Sequence, residues 1–173
     1  VFGQRFDSSG LPVGPEFQVN SYTTGSQASP AVAADPGGNF VVVWESEGQD
    51  GSHSGVFAQR FDAAGLPQGS ELQVNSYTTF NQQHAAVAAD DEGNFVVVWQ
   101  SQGQDGHFLG VFGQRFDVTG RPLGVEFCVH ADTSENCGVG KPTILTVDDD
   151  AQVSAAIARD LSRRYGAEYR VVR

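Results

Sequence analysis

The side chains of this chain best suited to chemistry are its four histidines, His53, His84, His107 and His130. An imidazole is the commonest general base near neutral pH and a frequent transition-metal ligand. Carboxylates stand nearby in glycine-containing loops: Asp50 and Asp105 in two copies of "GQDG", and Asp90 and Asp91 in "ADDEGN". Such loops offer the oxygen ligands that calcium takes. Two chemistries follow, a calcium ion that only stiffens the loops, or a metal-dependent hydrolase, with calcium as the metal, of a lactone, an ester or a glycoside whose site is the His and Asp residues. Against both, the histidine spacing follows no metal signature, His53 and His107 occupy different repeat positions, and no EF-hand loop is present. Asp-Gly pairs also make turns for conformational reasons alone. No G-x-S-x-G, P-loop, C-x-x-C or H-E-x-x-H motif occurs, so the usual grounds for a hydrolase, nucleotide enzyme or zinc enzyme are missing.

The elements that must position these residues are repeated. "VFGQRFD" at Val1 returns as "VFAQRFD" at Val56 and as "VFGQRFD" at Val111, 55 residues apart each time. Residues 1–55 and 56–110 align without a gap and are identical at about two-thirds of positions. Each copy holds four short runs rich in Val and Phe, for example "VFAQRFD", "ELQVNSY", "AAVAAD" and "FVVVWQS", separated by Gly/Pro turns and the tight turns "DPGGN" and "DEGN". Runs this short and this rich in β-formers predict strands, not helices, and the Gly and Asn of the turns tolerate positive φ.

A four-stranded antiparallel unit, repeated at slightly more than a usual blade length, predicts an all-β fold of β-propeller type. "FVVVW" is apolar on both faces, as a strand between two neighbouring sheets must be. The pattern "VVVW(E/Q)S.GQDG....GVF.QRFD..G.P.G.EF.VN" resembles repeats that recur in large secreted or cell-surface bacterial proteins, a likeness that covers residues 1 to about 130. It implies a secreted or cell-surface parent.

With the alanine-rich run innermost, the chain supplies the two outer strands of one blade, then two whole blades, then "EFCVH" as a final edge. This is a partial propeller of about two and a half blades, divided into repeats 1–55 and 56–110 and a partial repeat 111–140. Such an array leaves strand edges and faces open. Association of copies into a homo-oligomer is the expected way to close the ring, with packing of the C-terminal tail on the open end as the other. In an antiparallel blade the loop between its second and third strands and the link to the next blade emerge at one end, which places all four histidines on one rim, with His84 in the link. Propellers bind small molecules or carbohydrates on such a rim or in the channel beneath it. Arg5, Arg60 and Arg115 are expected to lie along the blade edge, paired with Asp7, Asp62 and Asp117 or with backbone. Trp44 and Trp99 are expected in the core between blades, not as sugar platforms.

The charge balance, 21 acidic against 10 basic residues and a formal net charge of -11, argues against a nucleic-acid partner. No apolar run is long enough to span a bilayer as a helix. The chain carries no methionine and begins inside a repeat, which reads as a processed piece or a fragment. Cys128 and Cys137 could close a short loop by a disulfide in an oxidising compartment or remain thiols.

From Lys141 the pattern changes. "TILTV" reads as a buried strand, "AQVSAAIARDLSRRYG" as a helix ending at Gly166, and "YRVVR" as a second strand, one βαβ segment over residues 141–173. This segment resembles the start of a response-regulator receiver domain. The resemblance implies a cytoplasmic tail in which Asp148 and Asp149, beside Asp150, stand where a receiver's acidic pair helps to hold magnesium. The receiver's phosphoacceptor lies beyond the matched segment, so phosphotransfer does not carry over. Oxygen ligands alone would hold magnesium weakly, and three aspartates at a strand end also serve as a helix N-cap. "KPTILTVDD" could equally act as the innermost strand of a third blade.

Overall fold

The Val- and Phe-rich runs do form strands, because branched and aromatic side chains fill a pleated surface that is covered on both sides. The computed structural model describes residues 1–106, 108–130, 143–145 and 170–172, and every regular element among them is a strand. β1 (Phe2–Phe6) pairs antiparallel with β2 (Pro12–Gln18). β3 (Gln27–Ala34), β4 (Phe40–Glu47), β5 (Ser54–Phe61) and β6 (Leu72–Gln73) form a four-stranded meander in that order. β7 (Gln82–Ala89), β8 (Phe95–Ser101), β9 (Gly110–Phe116) and β10 (Phe127–His130) repeat it, and no sheet closes on itself. β11 (Thr143–Leu145) and β12 (Arg170–Val172) pair in parallel. The helix expected between them, Cys137, Asp148 and Asp149 lie outside the described residues.

The phase expected from the repeats is the one observed: an outer pair of strands, then two whole meanders. Period-two alternation divides each strand between two faces. In β4, Val42 and Trp44, with Phe40 packed against them, join Val19, Phe57 and Phe61 in a cluster that also receives Val1 and Phe17 of the first pair. Val41 and Val43 point the other way, with Val56, Ala58 and Val74, onto Phe95, Val97, Trp99, Phe112 and Phe116 of the next sheet. The described strands β1–β10 therefore stack as three layers with an apolar seam in each gap, an arrangement compatible with propeller blades. Trp44 and Trp99 are 0% and 1% exposed, so both are core residues, as expected. Burial of an aromatic side chain of that size contributes on the order of 3 kcal/mol.

The first strand of each four-stranded meander, β3 and β7, carries a bulge. Ala28 and Ala31 face Glu45 and Val43, and Gln83 and Ala86 face Gln100 and Val98, so two residues oppose a single Trp in each case. The first bulged residue is left-handed in both sheets, Ser29 at φ 52 and His84 at φ 56. A bulge there tightens the strand's twist and frees one N–H from the ladder.

Candidate functional site

One end of the two meanders gathers the chemically capable side chains. It is formed by residues 48–53 and, in the second meander, 102–106 with 108–109, between the second and third strands, and by residues 74–81, which carry the chain from one sheet to the next. Within residues 48–53, Asp50 accepts the Ser52 N–H at 3.1 Å through Oδ1, and Asn75 Nδ2 approaches its Oδ2 at 3.5 Å. A Cβ at Gly55 would lie 2.5 Å from Oδ2, and Asp105 crowds Gly110 in the same way. These glycines let the carboxylate fold back over the strand. Asn75, 3% exposed, organises the corner: its Oδ1 accepts the Val56 N–H at 2.7 Å and its Nδ2 donates to the Tyr77 carbonyl at 2.9 Å.

Histidines come to this end unequally. His53 is exposed beside the ring of Phe80, with centroids 6.3 Å apart. His84 lies inside β7, not in the link between sheets where the repeat reading put it, because the bulge extends hydrogen bonding past it. The N–H freed by that bulge is taken by Glu45 Oε1 of the neighbouring sheet at 2.7 Å, and the His84 ring meets Gln100 Oε1 at 3.1 Å through Nδ1. His130 is the last residue of β10 and aligns with Asn20 and Asn75, the corner-forming position. His107 lies outside the described residues.

The carboxylates divide between the two ends. Asp90 and Asp91 sit in the β7–β8 turn, at the opposite end of the sheet from Asp105. Asp90 accepts N–H groups from Glu92 at 3.0 Å and Asn94 at 2.8 Å, the work of a turn-forming aspartate. Asp35 does the same for Asn39. Among the described residues no group of three His, Cys, Asp or Glu side chains is placed to hold a metal ion. At the turn after β1, the Ser9 hydroxyl, followed by the Leu11 N–H, holds the Asp7 carboxyl below its ordinary range, and the Thr119 hydroxyl does the same for Asp117.

Between the layers two polar clamps recur, of which the sequence reading singled out only the arginines. Glu71 accepts the N–H and hydroxyl of Ser21 and the amide of Gln49; Glu126 accepts the same groups of Ser76 and Gln104. Arg5 donates to the Ala63 carbonyl at 2.7 Å, and Arg60 to the Val118 carbonyl. Of the two arginine partnerships expected, the structure thus selects backbone. The signal was present in the sequence, since Ser, Gln, Glu and Arg return at fixed repeat positions, but only tertiary structure shows that their partners sit in the next layer.

Divergence between the two complete copies concentrates at this end. Gly25 and Ser29 of the first become Phe80 and His84 of the second, while Ser52, His53 and Ser54 become His107, Phe108 and Leu109. Phe80 keeps the left-handed φ of Gly25, 62 against 72, a conformation that strains a bulky side chain. Phe108 is 75% exposed. No protein-family profile and no curated protein matches the chain.

Proposed function

We propose that this chain is a repeat-built binding scaffold of secreted or cell-surface type, a partial propeller whose copies associate to complete a ring. One observation carries the binding role: strand cores are repeated nearly unchanged, whereas the loop-bearing end changes from glycine and serine to aromatic and histidine. A framework held constant under a changing rim suits a surface whose product is recognition. Phe80, Phe108, His53 and His84 give that rim flat apolar faces beside hydrogen-bonding groups, which fits a carbohydrate or another small polar ring. Calcium is the ion proposed for the Asp50 and Asp105 loops, where it would stiffen the rim without entering chemistry.

A carbohydrate binding panel tests this, run on the natural chain and on a variant carrying Phe80→Gly and His84→Ser, which returns two of the changed rim positions to the residues of the first copy. Binding that disappears in the variant while its circular dichroism stays unchanged supports the scaffold. Turnover of a lactone, ester or glycoside that is lost in His53→Ala or His84→Ala overturns it in favour of a hydrolase. Chelation is expected to lower the melting temperature; an unchanged melt removes calcium from the proposal.

A further inference from the structure

The two open faces of the stack are complementary, and the arginine clamp that holds the internal layers leaves its donor over at one end and its acceptor at the other, whereas the glutamate clamp leaves only Glu16, since Ala131 stands where Ser21 and Ser76 stand in the earlier repeats. β1 repeats in β5 and β9, yet Phe2 and Phe6 are 65% and 62% exposed, whereas Phe57, Phe61, Phe112 and Phe116 are each at most 6% exposed. In the second and third units these rings lie against the layer before them. At the far end, Val96, Val98 and Val111 are half-buried, although their counterparts Val41, Val43 and Val56 are buried under the following layer. Phe127 lies against Gly113 and adds a ring to that face.

Polar groups follow the same polarity. Arg5 and Arg60 each donate to a carbonyl in the next layer's turn; Arg115 is exposed. By the repeat, its acceptor would be the carbonyl at Ser8, the position of Ala63 and Val118. Glu71 and Glu126 accept from the layer before them, while Glu16 of the first unit is exposed. One end thus offers an arginine donor over an apolar face of valines and Phe127, and the other a carbonyl and a carboxylate beside two phenylalanines.

Resting on the reading that copies associate, we infer that they do so head to tail: the β8–β9 face of one copy covers Phe2 and Phe6 of the next, and Arg115 donates to the Ser8 carbonyl. The partner is a second copy of this chain because the contact repeats one that the molecule already makes twice inside itself. A groove of about 400 Å³ lined by Phe2, Phe17, Ala31 and Val42 lies beside β1, where the first unit lacks the two strands that precede β5 and β9 in the others. Such a junction is heterologous, so it builds rings or open chains, not a two-fold dimer.

The test blocks one end at a time in the 173-residue chain. Phe2→Asp with Phe6→Asp blocks the leading end; Val98→Asp with Arg115→Glu blocks the trailing end, and Arg115→Glu alone, at an exposed site, serves if the pair impairs folding. Light scattering is expected to show an oligomer for the natural chain, a monomer for each blocked variant, and a species of twice the monomer mass when the two are mixed. Arg115→Ala is expected to weaken association about tenfold or more, the usual loss for a hydrogen bond from a charged group. A trailing-end variant that remains a dimer overturns the polarity in favour of a symmetric leading-end contact. An oligomer unaffected by either block overturns the inference but leaves association standing, whereas a monomeric natural chain removes association itself.

Discussion

β4 and β8 carry the same five residues, "FVVVW", and meet different fates. In β4 both faces are covered: Val41, Val42, Val43 and Trp44 are all buried. In β8 only the face of Phe95, Val97 and Trp99 is covered, and Val96 and Val98 lie half open. The strand is built for a sheet on each side, and identical sequence gives different burial because, among the described residues, a layer follows one copy and none follows the other. A residue's energetic weight here belongs to its layer, not to its type.

The sharpest test of that contrast is a charge placed on each copy. Val43→Asp puts a carboxylate in a site 0% exposed and is expected to abolish cooperative folding, since a buried unpaired charge costs several kcal/mol or about the whole stability of a domain. Val98→Asp in the monomer is expected to lower stability by less than about half as much, and thermal melts of the two separate them. Equal losses would mean that the β8 outer face is already covered.

A second contrast concerns a cross-strand pair that changes in step. Gly3 faces Phe17 and Gly113 faces Phe127, whereas Ala58 faces Leu72. A Cβ at Gly113 would come within 2.7 Å of the Phe127 ring. Gly113→Ala is therefore expected to cost about 1–3 kcal/mol, and Phe127→Leu in the same chain to restore most of it, reproducing the Ala58 and Leu72 pair. Denaturant midpoints of the single and double variants check this.

The polar clamps give a smaller effect. Glu71→Ala leaves the Ser21 and Gln49 donors to water at a partly open site and is expected to cost about 1 kcal/mol. Glu16→Ala, at an exposed residue, is expected to change monomer stability by under about 0.5 kcal/mol. A matching loss at Glu16 would show that it already has a partner.

Smallest of all is a pH effect. Asp7 and Asp117 titrate below their ordinary value, chiefly through the Ser9 and Thr119 hydroxyls. A depressed carboxyl contributes stability above its unfolded pKa and loses it as pH falls through the folded one. Ser9→Ala and Thr119→Ala should each raise the neighbouring carboxyl's pKa in an NMR titration and blunt the acid dependence slightly.

Much of the fold was legible because the repeats state it. Turn residues and alternating Val and Phe runs marked the strands, and three copies of "QRFD" fixed their phase. The site was less legible. Placing His84 in the link between sheets failed because a bulge, set by two residues opposing one Trp, keeps it inside β7. Asp90 and Asp91 read, like Asp50 and Asp105, as loop carboxylates suited to calcium, and the structure places them at the other end of the sheet.

By itself the sequence determined the local matters: which runs are strands, where the chain turns, which side of each strand is apolar and that the pattern recurs every 55 residues. These depend on φ/ψ preference and on a side-chain period of two, both properties of neighbouring residues. Tertiary structure alone decided which apolar face is covered, that Glu71 reaches back to Ser21 and Arg5 forward to Ala63, and that among the described residues Phe2 and Phe6 stay exposed at one end and Val96 and Val98 half-buried at the other. Those outcomes join residues about fifty positions apart, and whether a face is buried depends on what lies across the gap, which no local pattern encodes.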